Sequence, residues 1–278
     1  MLGGKIVARR AWGGTLAASS HDSPTPWWQM TESDKSLDIL GVKPVATSIE
    51  KISSGLVDGA SAFLSRICLP AAEEFGLLLK DKVSNWRASN AAKIASRSEE
   101  LLEASGGSDS MHAHPRIVAG IIELGSWCDT EEVQSLWAGL LASACTEGGR
   151  DDSNLMFVDL LSKLTASQAR LFDYICRKSE KQIVGEGWVH ASVFYISVED
   201  LRLVTGISDL HQIDRELDHL RTLGLIHEIH GGFYLNASSA DVTPSPLALQ
   251  MFARCQGSIA DPVVFFNLRT PPPPTVSG

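Results

Sequence analysis

The chain has 278 residues, 44% of them hydrophobic, and 24 lysines and arginines against 33 aspartates and glutamates give a net charge of −9. That is apolar matter enough for one large or two modest packed cores, while the acidic balance excludes a protein whose whole surface grips nucleic acid, since such binding rests on neutralising phosphates. Five cysteines, Cys68, Cys128, Cys145, Cys176 and Cys255, are scattered, odd in number and without a CxxC pair, so they read as reduced small hydrophobes of a cytoplasmic protein, without disulfides or metal.

Residues 1–36 are rich in Gly, Ser and Pro and read as a disordered extension, with Met30 an alternative start. Arg9 and Arg10 precede "AWGGTLAAS" in the manner of an export signal, but the apolar run is short and holds two glycines, so export is not expected. No run of about 18 uncharged apolar residues suggests a membrane-spanning helix.

From Val45 to about Glu103 the pattern is helical. Ile49, Ile52, Leu56, Phe63 and Ile67, with small Ala60 filling the one open turn, keep three-and-four spacing, and Phe75, Leu78, Leu79, Val83 and Trp86 resume it after an interruption. The spacing predicts two long amphipathic helices of roughly 35 and 50 Å, hinged at Leu69, Pro70 and Gly76. Pro70 fits the first turn of a new helix, where its missing N–H costs nothing. Past the hinge, Lys80, Lys82, Arg87, Lys93 and Arg97 face a single acid, Asp81, for a local charge of 5 − 1 = +4 around Trp86. A solvated face, a surface for an anionic membrane that the protein meets peripherally, and a contact for an anionic partner such as nucleic acid all fit that composition.

Further helices are expected from 115 to 126, after the caps Asp129 and Thr130, and after Ser153 and Thr165. The stretch 37–180 is therefore read as a helical domain whose bundle runs from 45 to 178. The last third changes: a helix capped by Ser197, a turn at Gly206, a helix from Asp209 to Leu223, strands at 225–229 and 233–235, and a closing helix in "TPSPLALQMFARC". That order predicts a small α+β winged-helix domain over 190–256. Residues 257–278, ending in "RTPPPPTVSG", read as a proline-rich tail. The fold class expected is mostly α.

Three stretches resemble the abortive-infection alpha family of bacterial proteins: 38–87 with its Leu69–Pro70 to Gly76 segment, 114–146 with "LWAGLLA", and "FVDLLSKLTASQARLFDYI" at 157–175. One departure is Leu164–Thr165–Ala166, where the family has an L-S-P turn followed by an acid. The resemblance implies defence against bacteriophage, and it brings no catalytic residues with it.

Mechanism rests on the residues themselves. There is no Gly-rich phosphate loop, no GxSxG and no HExxH. His112 and His114, in a Gly/Ser loop, are the metal candidates, and lack a third ligand in sequence. The expected recognition helix "DLHQIDRELDHLR" carries three Asp and one Glu against two Arg, and phosphates would repel it. The expectation is a non-enzymatic defence protein without a cofactor, acting through protein assembly and through hinged helices on a membrane or membrane-like compartment. Its expected partners are a second defence protein encoded nearby, further copies of itself, and a phage component or membrane surface, with DNA not expected. The alternatives are a nucleic-acid sensor, a scaffold for a separate effector, and a metal enzyme using the two histidines.

Overall fold

A computed structural model describes residues 54–78, 82–107, 110–233 and 238–268. The extension at 1–36, the helical pattern at 45–53, Lys80 and the prolines at 271–274 lie outside the described residues, as does the side chain of Lys82.

Helix α1 spans Ser54–Ile67, α2 Leu69–Leu78 and α3 Lys82–Ala104. Between α1 and α2 stands Cys68 alone, its carbonyl opening α2 by accepting from Ala71 and Ala72 at 3.1 and 3.3 Å, and Pro70 sits in the first turn of α2, where its missing N–H costs nothing. The 50 Å helix expected after Pro70 is instead two helices. α3 packs along α1, which a straight continuation of α2 could not do. Ala88, Ala91, Ala92 and Ala95 are wholly buried on α3; their size lets the helix axes approach closely. Arg66 ties α1 to Glu99 of α3 at 3.2 Å.

Strand β1 (His112–Ala113) leads into α4, Pro115–Gly125, and then α5, Glu131–Ala144, which β2 (Cys145–Thr146) follows. α5 touches α3, α4 and the later helices α6 (Leu155–Ser162), α7 (Ala166–Lys178) and α10 (Pro246–Cys255). Accordingly it is buried almost all round from Val133 to Ala144. Gly139 is needed there: a methyl at that position would run into the backbone carbonyl of Cys255, where α10 ends against α5. Three polar side chains inside the seam are paired: Ser98 Oγ donates to Ala138 O at 3.0 Å, Asn90 Nδ2 to Ser126 O, and Gln134 Nε2 to Asn90 Oδ1, as most buried polar groups are.

Helix starts largely follow the caps. Thr165 and Gln168 form a reciprocal capping box on α7. α6 departs from expectation: Asn154 takes the cap position instead of Ser153, and its Nδ2 reaches back to Ser143 Oγ. Ser197 caps α8 (Val198–Thr205), Gly206 closes it in the left-handed region at φ 72°, and Asp209 caps α9 (Leu210–Thr222).

The sheets are small. β1 pairs with β2, and β3 (Lys181–Val184) forms an antiparallel hairpin with β4 (Trp188–Ala191), which the sequence reading lacked. β5 (Tyr195–Ser197), β6 (Gly232–Phe233) and β7 (Ser239–Asp241) form an antiparallel sheet in the order β5-β7-β6. The strand expected at 225–229 is absent apart from one bridge, Ile226 to Pro244. Leu225 and Ile226 are drawn into the core, and Gly231 N–H closes a turn on His227 O. Residues 257–268, expected to begin a tail, hold the short α11 (Pro262–Phe265), whose Phe265, with Phe266, packs on Phe252. All described elements lie in one compact unit, and packing of α7 on α8 and α9, and of α5 on α10, crosses the boundary expected near 180–190.

Candidate functional site

The hinge candidates sit at a real break in the helix. Below it Phe63, Leu64, Ile67, Ala71 and Phe75 are buried in the core, while Leu69 is 62% and Leu77 57% exposed on the outward side of α2. α2 is thus apolar on two faces, with exposed Glu73 between the outward leucines. Gly76 has open space around it. α2 packs on α4, whose last turn exposes Leu124 and is followed by Trp127, 53% exposed.

The basic segment divides on folding. Trp86 meets Trp127 with ring centroids 6.2 Å apart. The Arg87 guanidinium lies 4.3 Å from the Trp127 ring centre and donates to Ser126 Oγ at 3.0 Å and to Glu123 Oε2 at 3.0 Å. With its side chain only 12% exposed, Arg87 is a tie between α3 and α4, and not the free surface cation that the sequence suggests. Arg97 lies 3.8 Å from Glu131, a loose surface pair, and Lys93 is exposed. The neutralising carboxylates come from 36 and 34 positions downstream, so a window count of charge could not see them.

His112 and His114 belong to the scaffold. His112 Nδ1 is 3.1 Å from the carbonyl of Arg66 at the end of α1, and His114 Nδ1 accepts from Arg116 N–H as the cap of α4. Among the described residues no three His, Cys, Asp or Glu side chains stand together as metal ligands would. Four thiols are held protonated by burial, which pushes Cys145 up to about 12 and raises Cys128, Cys176 and Cys255. A thiol so held is a poor nucleophile at neutral pH.

On α9 the outward residues include His211, Asp214, Arg215 and Asp218, and Asp218 pairs with Arg221. Glu216 points inward, accepting from Thr165 Oγ1 at 3.1 Å, and His219 bonds Gln168. This latch fixes α9 to the start of α7. A cleft of about 450 Å³, not foreseen from the sequence, opens between α3, α5 and α7 and is lined by Arg97, Glu132, Arg170, Tyr174, Arg177 and Lys178. Its charges are largely answered: Asp173 binds Arg177 through both oxygens, at 2.7 and 2.9 Å, and Arg170 donates to Thr205 O. Among the described residues no helix is long and apolar enough to cross a membrane.

No curated protein and no solved structure matches the chain. A family model described as abortive infection alpha matches residues 88–242. The match starts within α3 and ends just past β7, so it takes in bundle and three-stranded sheet together and leaves the hinge outside. Since it covers more than half of the 278 residues, the chain belongs to the abortive infection alpha family.

Proposed function

We propose that this protein acts in defence against bacteriophage by abortive infection, as a non-catalytic assembly protein. Its working part is the hinged pair α1–α2, which meets an anionic membrane, or a membrane-like compartment, from the side. The observation that carries this is α2 itself: a helix next to a one-residue break, apolar inward through Phe75 and Ala71 and outward through Leu69 and Leu77. Trp86 and exposed Lys93 lie on α3, and Trp127 in the turn after α4; tryptophans with cations beside an apolar face suit the headgroup level of a bilayer. A family name that speaks of abortive infection supports the biological setting. The candidate histidines and four of the cysteines, held as described, support a role without bond chemistry.

The α+β part is the partner-binding half. The succession α7, β5, α8, α9, β6, β7, with the β3–β4 hairpin inserted after α7, and the sheet order β5-β7-β6 support reading it as a winged helix-turn-helix. Its outward α9 face sets Asp209, Asp214 and Asp218 against Arg215 and Arg221, which suits a protein, such as a second defence protein encoded nearby, better than a phosphate backbone.

Release of dye from vesicles containing anionic lipid, by the purified protein with and without its genomic neighbour, tests the membrane reading. Leakage that salt weakens is expected; no leakage and no vesicle binding by either mixture would overturn it. A gel shift over a salt series tests the other half: a retarded duplex whose affinity falls steeply with salt would make it a DNA reader.

A further inference from the structure

An exposed tryptophan on a hairpin needs a reason. Trp188, 68% exposed, pairs across the β3–β4 turn with Val184, 46% exposed, so two large apolar side chains share the hairpin's outer face. Beside Trp188 runs a groove of about 290 Å³ between the hairpin, α10 and α11, with Glu186, Trp188, Pro246, Leu249, Asp261 and Pro262 in its walls. Its two charged residues, Glu186 and Asp261, are both acidic. A tryptophan, flat proline rings and flanking carboxylates are the chemistry that recognises a polyproline helix with a neighbouring cation, because that helix is rigid in advance and offers ridged apolar faces without losing conformational freedom.

The chain holds such a ligand. Its last ten residues are Arg269, Thr270, Pro271, Pro272, Pro273, Pro274, Thr275, Val276, Ser277 and Gly278. Leu268 N–H donates to Val263 O at 2.9 Å, so this segment departs one residue from Pro262, which forms the groove wall. At about 3.1 Å per residue, four prolines span roughly 12 Å, and α11, which the segment follows, packs on β4, the strand that carries Trp188. Tethering raises the local concentration of the segment to about millimolar, so even a weak groove is filled by it ahead of a free ligand.

We propose that the Trp188 groove is a polyproline-binding site and that its resident ligand is the chain's own segment Arg269–Pro274, with Arg269 set against Glu186 and Asp261. A partner presenting a proline-rich, cationic segment would then have to displace it. The proposal stands apart from the defence reading and survives or falls separately.

Trypsin reads it directly in the full chain, because the Arg269–Thr270 bond is a cleavage site that docking covers. The bond is expected to be cut about tenfold more slowly than in Trp188→Ala and in Glu186→Gln, which adds no trypsin site, as a segment present at several times its dissociation constant requires. The protection should not depend on protein concentration. Both substitutions fall at exposed positions, and unchanged thermal midpoints confirm intact folds; Glu186→Gln alone suffices if Trp188→Ala misfolds. Equal cleavage rates in all three proteins overturn the proposal. Protection that grows with protein concentration also overturns it, placing the segment in the groove of a second copy.

Discussion

Gly139 and Gly76 are both helical glycines, yet the structure gives them opposite roles. A methyl at 139 collides with the backbone at Cys255, whereas at 76 it meets nothing within 4 Å. Gly139→Ala is therefore expected to lower stability by about 1–3 kcal/mol through overpacking, and Gly76→Ala to raise it by about 0.4–1 kcal/mol. Thermal denaturation of the two variants should move in opposite directions. Arg87 is a third case: truncating Arg87→Ala leaves Ser126 and Glu123 without their donor and strips Trp127 of its cation, at a cost of about 1–3 kcal/mol. Urea midpoints measure it. The buried thiols set an alkaline limit. Their protons are held more tightly in the folded than in the unfolded chain, so stability is intact below about pH 9 and falls as pH rises from there toward about 12, the value of Cys145, by about 1 kcal/mol per pH unit per thiol. Denaturation followed across that range should show the decline, and replacing Cys145 by Ala should make it shallower.

Much of what is settled within a few residues was legible in the sequence. The Thr165–Gln168 box, the Ser197 and Asp209 caps and the left-handed turn at Gly206 all depend on side chain meeting backbone within one turn. The proline at the start of α2 is of the same kind. Elements whose cause lies far along the chain were not legible. β1 exists because Ala113 pairs with Cys145, and the supposed strand at 225–229 gives way because Leu225 and Ile226 are taken by the core. The β3–β4 hairpin had a local signal in "VGEGW", where Gly185 and Gly187 adopt φ 61° and 122°, but it was overshadowed by the polar residues around it. The latch between α7 and α9 yields an element-scale expectation. Thr165→Ala removes both the cap of α7 and the hydroxyl that Glu216 accepts from, and should cost about 1–2 kcal/mol, with hydrogen exchange rising in both helices.

At the scale of the whole molecule, two parts that look separable in sequence share one core, since α5 supports helices on both sides of the expected boundary. The shared family region stays within that core, from residue 88 to 242, while the break at Cys68 and the outward leucines of α2 precede it. On this account the core carries the fold common to the family, and the helices added before it carry the action. The candidate surface was only half visible in sequence, because charge along a window predicts neither Glu123 beside Arg87 nor Trp127 beside Trp86. The most direct test is a count of phage plaques on hosts making the unaltered protein or the double variant Leu69→Glu, Leu77→Glu, which alters exposed positions alone. Plaques should reappear with the variant while its thermal midpoint stays that of the parent; protection equal to that of the unaltered protein would contradict the account.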